Sequence, residues 1–592
     1  MTQSEELTLH SLKSISSIDG RHRIITEPLS EWLSEYALHK YRFYLEVEYL
    51  IALSEWKEFK AAREMTLEEK EFLRNLVTNF TLEDANIVQN LDRFGYKDQK
   101  PTNHDVKAVE YFFRLKLKGT SLEDLSEIIH FGLTSEDANN IAYNCMIRGA
   151  LKYYYFPALI SLLDQLKALA EIEKNTPMLS RTHGQPATPT TFGKEMANYL
   201  DRIRKVFESL YEYKLPAKLN GAVGCHNAQY FAEPNLDWIT FTEDFLKQLG
   251  FMPNLLTTQI EPHDGFTEIF SKMISINNIL RDMSIDYWLY IMQNYIVQKK
   301  VSNEIGSSTM PHKINPWRME VAEGSTIEAN SRFTGFIWKL QTSRLQRDLS
   351  DHEAQRSIGT AIAHSYIAIL HVLEELGRLE INRECMKKDL EDNGVILTEA
   401  IQTILRKDGY PNSYELMKDL SRGQYLTVQE VYKMVNDLTI KEETKNYIKT
   451  LKPETYLGLA VKLTEVAIGN WISFKDNYNA PYPQIKKIII DCEGLEISEK
   501  ESLILNKIKE GKIELLGLNT NKSLFSAMIS SEKLNDFSTK SNLFIGKSNA
   551  NYLLAKQKGL LCVPFNSSQE KAEFKITTFE ELPSLIKTIQ ES

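Results

Sequence analysis

From Ser30 to Trp56 the chain reads SEWLSEYALHKYRFYLEVEYLIALSEW, with apolar and aromatic residues returning every three or four positions. That period is helical. Segments of the same kind run from about Leu151 to Lys174, Gly193 to Tyr213, Gly265 to Val297 and Glu320 to Leu345. Several exceed the roughly 11 to 12 residues of an average helix, so the expected architecture is mainly α, with long helices lying side by side in a bundle. At 592 residues the chain is too long for one compact core. A prior of roughly 100 to 200 residues per domain predicts three to five units.

The pattern changes after about Trp471. QIKKIIIDCEGLEI is a short β-branched run ending in acids and glycine, KIELLGLNTNKS repeats the form, and NLFIGKSNANYLLAKQKGLLCVPF reads as strand, loop, helix and strand. Strands alternating with helices predict a small α/β unit with a parallel sheet. The stretch SFKDNYNAPYPQ, with two prolines among polar and aromatic residues, is the expected linker.

With 42% hydrophobic and 25% charged residues, the composition is that of a globular protein. A net charge of −10 gives no basic footprint for nucleic acid. Cys145, Cys225, Cys385, Cys492 and Cys562 are scattered and form no C-x-x-C pair, which argues against a disulfide framework or a zinc site and fits a reducing compartment. The opening MTQSEELTLHSLKSISSIDGRHR has no apolar core of a signal peptide, and no apolar run reaches the roughly 18 residues of a membrane span. A cytoplasmic protein with no membrane partner is expected.

The loops between the helices hold the chemistry-bearing residues. GSSTMPHKINP, Gly306 to Pro316, combines hydroxyls, backbone N–H groups and the cation Lys313. Such a surround can turn a serine into a base or can hold a substrate carboxylate; a plain flexible connector is the bland alternative. Long polar loops between helices are disproportionately functional. LSRTHGQPATPTTF puts His183 in a polar turn, where a lone histidine is more readily a structural hydrogen-bonding residue. In PTNHDVKAVEYF, Asn103 is placed to cap a helix that Asp105 opens, beside His104. HFGLTSEDANN reads as a capping box led by Thr134 or Ser135. TTQIEPHDGF sets Gln259, Glu261, His263 and Asp264 before a helix without the ligand geometry of a metal site.

GSSTMPHKINP resembles the signature loop of the fumarase/aspartase superfamily. Within that superfamily, TNHDVKAVEYF, HFGLTSED, LSRTHGQPATPTTFGKEMAN, KLNGAVG and TTQIEPHD resemble the adenylosuccinate lyase family, in particular its long bacterial form, in collinear order over roughly residues 10 to 470. The resemblance implies a three-domain helical lyase: residues 1–118, a central bundle at 119–375, and a helical domain at 376–474. The extension at 475–592 weakly resembles a haloacid dehalogenase-like domain. It keeps Asp491 but has Glu493, Lys547 and Asn551 where other metal-binding acids are expected, so it is read as noncatalytic.

The implied activity is β-elimination of fumarate from adenylosuccinate and from the ribotide SAICAR, without cofactor or metal. By match to the family motifs, Ser307 is the base and His183 the acid, while Lys313 and Asn315 hold the succinyl carboxylate. Arg21, His22, Asn103, His104, Asp105, Thr134, Ser135, Gln259, Arg347, His352 and Arg356 form the implied substrate shell. His22 stands where a tyrosine is common, and the stretch containing His352 and Arg356 is less hydroxyl-rich than usual. The family forms homotetramers whose active sites are shared between subunits, so a homotetramer is expected.

Overall fold

The computed structural model describes residues 11–300, 309–476 and 478, together with the backbone of five strands beyond them. Ser307, Ser308, Glu493, Lys547, Asn551 and most of the expected linker lie outside the described residues. By internal contacts the chain divides into two units, Met1–Arg148 with Ala158–Asn477, and Gly149–Pro157 with Tyr478–Ser592.

The first unit is helical. The periodic stretch at the N-terminus forms α1 (Glu35–Glu55), whose N-cap Ser34 accepts a hydrogen bond from the Ala37 N–H. Further along come α2 (Asp105–Leu117), α3 (Ser135–Ala150) and α4 (Phe192–Tyr211). The bundle continues with α5 (Asp264–Met292), α6 (Trp317–Leu340) and α7 (Ile358–Leu376), which pack against one another. Their seam is apolar: Phe270 stacks on Phe333 with ring centroids 5.1 Å apart, and Met273, Leu280 and Met283 are buried beside them. Burying each such side chain contributes about 1.5 to 3 kcal/mol, which holds the bundle against the entropy of ordering it.

Two strands, β1 (Pro177–Thr182) and β2 (Gln185–Thr191), form an antiparallel hairpin between α3 and α4. The sequence reading had only a polar turn here, because three prolines and several threonines mask the period-two pattern. The hairpin is rooted in a separate apolar cluster. Leu179 packs with Leu390, Leu397, Ile401, Leu405, Val431 and Ile448, from the short helices between Arg383 and Ile448.

The second unit carries a five-stranded parallel sheet, as the alternating pattern predicts. Its strands are β3 (Lys487–Asp491), β4 (Glu514–Leu518), β5 (Ala527–Ile529), β6 (Asn542–Gly546) and β7 (Leu561–Pro564), in the order β7-β6-β3-β4-β5. The first strand is therefore central, with the chain winding outward on both sides. β5 was not foreseen; it is a three-residue edge strand without a β-branched run. Among the described residues no helix is long and apolar enough to cross a membrane.

Candidate active site

The described part of the signature loop, Thr309 to Pro316, leads directly into α6, with Pro316 at the N-cap position. Lys313 is exposed, and its backbone N–H donates to the Met310 carbonyl at 3.1 Å. The Asn315 carbonyl accepts from Gln298 Nε2 at 3.4 Å, and the same amide group donates to Glu375 Oε1 at 2.6 Å. Burial pushes the Glu375 carboxyl above its usual range, against the opposing effect of the Gln298 bond.

His183 occupies the tip of the β1–β2 hairpin. The Thr182–Gln185 pair closes a two-residue turn in which both His183 (φ 53°) and Gly184 (φ 74°) are left-handed. Two positive φ values are the requirement of a type I′ turn, which normally selects Asn-Gly. A histidine there is strained by about 1–2 kcal/mol. The ring is exposed and has no hydrogen-bond partner among the described residues. Nearby, Arg181 pairs with Asp389 at 2.6 Å and holds the hairpin to its base.

A third group forms where α1, the starts of α2 and α3, and the short helix Ser350–Arg356 meet. The α2 cap is His104, not Asn103: Asn103 is left-handed (φ 49°), while His104 is extended, and its Nδ1 accepts the Lys107 N–H at 3.2 Å. With Nδ1 accepting, the ring proton sits on Nε2, which lies 3.3 Å from Ser135 Oγ. Thr134 donates its N–H to Asp137 Oδ2 at 2.8 Å, supplying half of the predicted capping box.

Asp105 is the hub of this group. It meets Arg42 at 2.9 Å, Arg356 at 3.1 Å and His352 Nε2 at 3.4 Å. Burial alone would raise its pKa; the His352 hydrogen bond, the charges of Arg42 and His352, and the Arg356 bond outweigh burial and hold it far below the ordinary carboxylate range. Arg356 also bridges to Glu35 at 3.1 Å, and its Nη1 lies 2.6 Å from His352 Nδ1. Arg42 continues inward to Asn139 Oδ1 at 2.8 Å, Asn139 donates to Glu136 at 2.7 Å, and Glu136 accepts from Arg347 at 3.0 Å. Gln259 joins through its N–H, which donates to the Gln346 carbonyl at 3.3 Å.

The structure thus brings together His104, Asp105, Thr134, Ser135, Gln259, Arg347, His352 and Arg356. No described contact within one chain links that group to His183 or to Lys313 and Asn315. Arg21 is exposed in the turn before a short helix at Arg23–Thr26, and His22, its N-cap, has its pKa lowered by burial and by the Arg21 charge.

Sequence reasoning missed Arg42, Glu136 and Asn139. A signal was present: Glu35, His39, Arg42 and Glu46 are spaced four, three and four apart, a polar stripe along one face of a helix rich in apolar and aromatic residues.

The motif segments also interlock at the backbone. Gly224 (φ 78°) would place a Cβ 2.3 Å from the Thr257 carbonyl oxygen. Gly224→Ala is therefore expected to lose about 1–3 kcal/mol of stability, read as a lower urea midpoint with unchanged slope.

Comparison with known proteins identifies the family. A family model described as lyase matches residues 20–329, and one described as adenylosuccinate lyase C-terminal matches residues 343–457; the C-terminal sheet begins beyond both. The adenylosuccinate lyase of Legionella pneumophila strain Corby is 42% identical over 460 residues, covering 78% of this chain and 99% of the relative. Those of Haemophilus influenzae and Escherichia coli K12 are 40% and 38% identical over the same shares. Among solved structures, a fumarate lyase from Mesorhizobium sp. BNC1 superposes with a TM-score of 0.59 at 16% identity, covering 75% of this chain and 97% of its own. A 3-carboxy-cis,cis-muconate lactonizing enzyme from Pseudomonas putida gives 0.55 at 19%, covering 77% and 97%; both share the fold alone. The chain belongs to the adenylosuccinate lyase family.

Proposed function

We propose that this enzyme removes fumarate from both adenylosuccinate and SAICAR, in the cytoplasm, at active sites assembled from several copies of the chain. The carrying observation is the arginine-rich group around Asp105, which presents Arg347, His352 and Arg356 beside the starts of α2 and α3. Guanidinium groups held in place by carboxylates, as Arg347 is by buried Glu136 and Asp351 and Arg356 by Glu35 and Asp105, are preorganised for phosphate and carboxylate oxygens.

In this reading Ser307 takes the proton from the carbon beside a succinyl carboxylate. The electron pair spreads into that carboxylate, where Lys313 and Asn315 stabilise the charge. The carbon–nitrogen bond then breaks, and His183 gives its proton to the departing nitrogen, leaving fumarate with AMP or AICAR. Arg21, His22, Arg347, His352 and Arg356 hold the phosphate and carboxylates. Asn103, Thr134, Ser135 and Gln259 complete the shell, and His104 supports the acid. Asp105 fixes the direction of His352 and Arg356. Dispersal of the acid, the signature loop and the shell over separate parts of one chain supports a shared site in a homotetramer.

The test is fumarate production by the purified full-length chain, followed separately with adenylosuccinate and with SAICAR. Release from both is expected. Release from neither would overturn the reading, and release from adenylosuccinate alone would remove its SAICAR half.

A further inference from the structure

KLNGAVG is the one motif to which the mechanism assigns no role, and its lysine is fully buried. Lys218 Nζ donates to Asp137 Oδ1 at 2.7 Å, to the Gln259 carbonyl at 2.9 Å and to the Gly221 carbonyl at 3.2 Å. An ammonium has three N–H donors, so all of them are used. Asp137 in turn accepts from the Thr134 N–H at 2.8 Å, the Asn220 N–H at 3.0 Å and the Gly221 N–H at 3.1 Å. With Lys218 this fills its four acceptor sites. Both side chains are wholly shielded from solvent.

Desolvating two charges costs several kcal/mol per ion, and an apolar pair of similar volume would usually fill a core as well. What an apolar pair lacks is the ability to fix backbone groups. The six hydrogen bonds here tie three separate segments: the start of α3, the turn Lys218–Gly221, and the run before α5. The helix grips the same turn a second time, because Asn140 Oδ1 accepts the Lys218 N–H at 3.0 Å and Asn140 Nδ2 donates to the Lys218 carbonyl at 3.1 Å.

We propose that Lys218 and Asp137 are a positioning pair that sets where Thr134, Ser135 and Gln259 meet the substrate, an inference that rests on the substrate shell described above. Lys218 touches no substrate itself. It acts by holding the Gln259 carbonyl and, through Asp137, the Thr134 N–H in one frame. Since His104 Nε2 faces Ser135, that frame also fixes the neighbour of the acid-supporting histidine. A displacement of about 1 Å in such a shell is enough for a loss of order 100-fold in kcat/KM.

The experiment compares Lys218→Met with the double variant Lys218→Met/Asp137→Leu, which leaves no unpaired buried charge and keeps the fold testable if the single variant does not fold. Melting temperature and the separate kcat and KM for adenylosuccinate are measured, alongside Ser135→Ala and Gln259→Ala. The double variant is expected to fold and to raise KM by about tenfold or more, with kcat falling less. Unchanged KM and kcat in the folded double variant, with raised KM in Ser135→Ala and Gln259→Ala, would overturn the positioning role alone. Unchanged KM in all of them would overturn the substrate shell and this proposal together.

Discussion

Fumarate release is expected to fall by about 10³-fold or more when His183 is replaced by asparagine, while the protein melts no lower than the parent. The two halves have one cause. The left-handed turn position tolerates asparagine better than histidine, and the ring has no described partner whose loss would cost stability. That a strained, exposed and unpaired residue sits on a well-anchored hairpin supports the chemical role proposed for His183. Ser307→Ala is expected to show a loss of the same size. Mixing the two inactive variants under conditions that permit subunit exchange should restore part of the activity, because some sites then combine an intact His183 with an intact Ser307. Retained activity in either single variant would remove that residue from the mechanism, and failure of the mixture after verified exchange would remove the shared site.

How far the sequence revealed this arrangement differs from element to element. α1, α4, α5 and α6 were legible because each buries one side of a long helix, which leaves a 3.6-residue period in the apolar positions. The C-terminal sheet was legible because parallel strands read as short continuous apolar runs, as in KIIID of β3 and ELLGL of β4. The hairpin at His183 was hidden: its β2 strand contains prolines, and its turn signal is His-Gly instead of the usual Asn-Gly. The cap at His104 was assigned to Asn103 because residue type alone favours asparagine, whereas the left-handed backbone at Asn103 excludes it.

The site residues divide along a similar line. Motif matching identified groups expected to touch substrate, but not the residues behind them. Arg42 sits inside a long, largely apolar helix, while Glu136 and Lys218 lie in matched motifs whose resemblance gives them no role, and Asn139 follows one of them. Their meaning lies in contacts across 41 to 211 residues of chain, as in Lys218 to Gln259 and Glu136 to Arg347, and such long-range pairing leaves no local period to read. The converse also holds. Geometry within one chain does not join His183 to Arg347, so the connection between them came first from motif resemblance.

Asp105→Asn is expected to cost about 3–5 kcal/mol of stability, the largest loss foreseen for a single substitution here. The amide keeps the shape and removes the charge, leaving fully buried Arg42 without its counter-ion 2.9 Å away. The double variant Arg42→Met/Asp105→Asn should recover much of the loss, because no unpaired charge then remains buried. Equal stability of parent and Asp105→Asn in urea titrations would refute the hub role. The pH dependence separates this carboxylate from its neighbours. Asp105 is depressed in the folded state, so below the ordinary aspartate value of about 3.9 the unfolded chain takes up a proton that the folded chain refuses. Its contribution is therefore complete above about pH 5 and drains away as pH falls further. His39, on the same helix face, is pushed down to about 4, first by burial and then by the Arg42 charge. Its ordinary value is near 6.5, so stability is already lost between about pH 6.5 and 4 as the unfolded state protonates first. The parent should lose stability over both windows in turn, whereas Asp105→Asn should keep the upper step and lack the Asp105 share of the lower one.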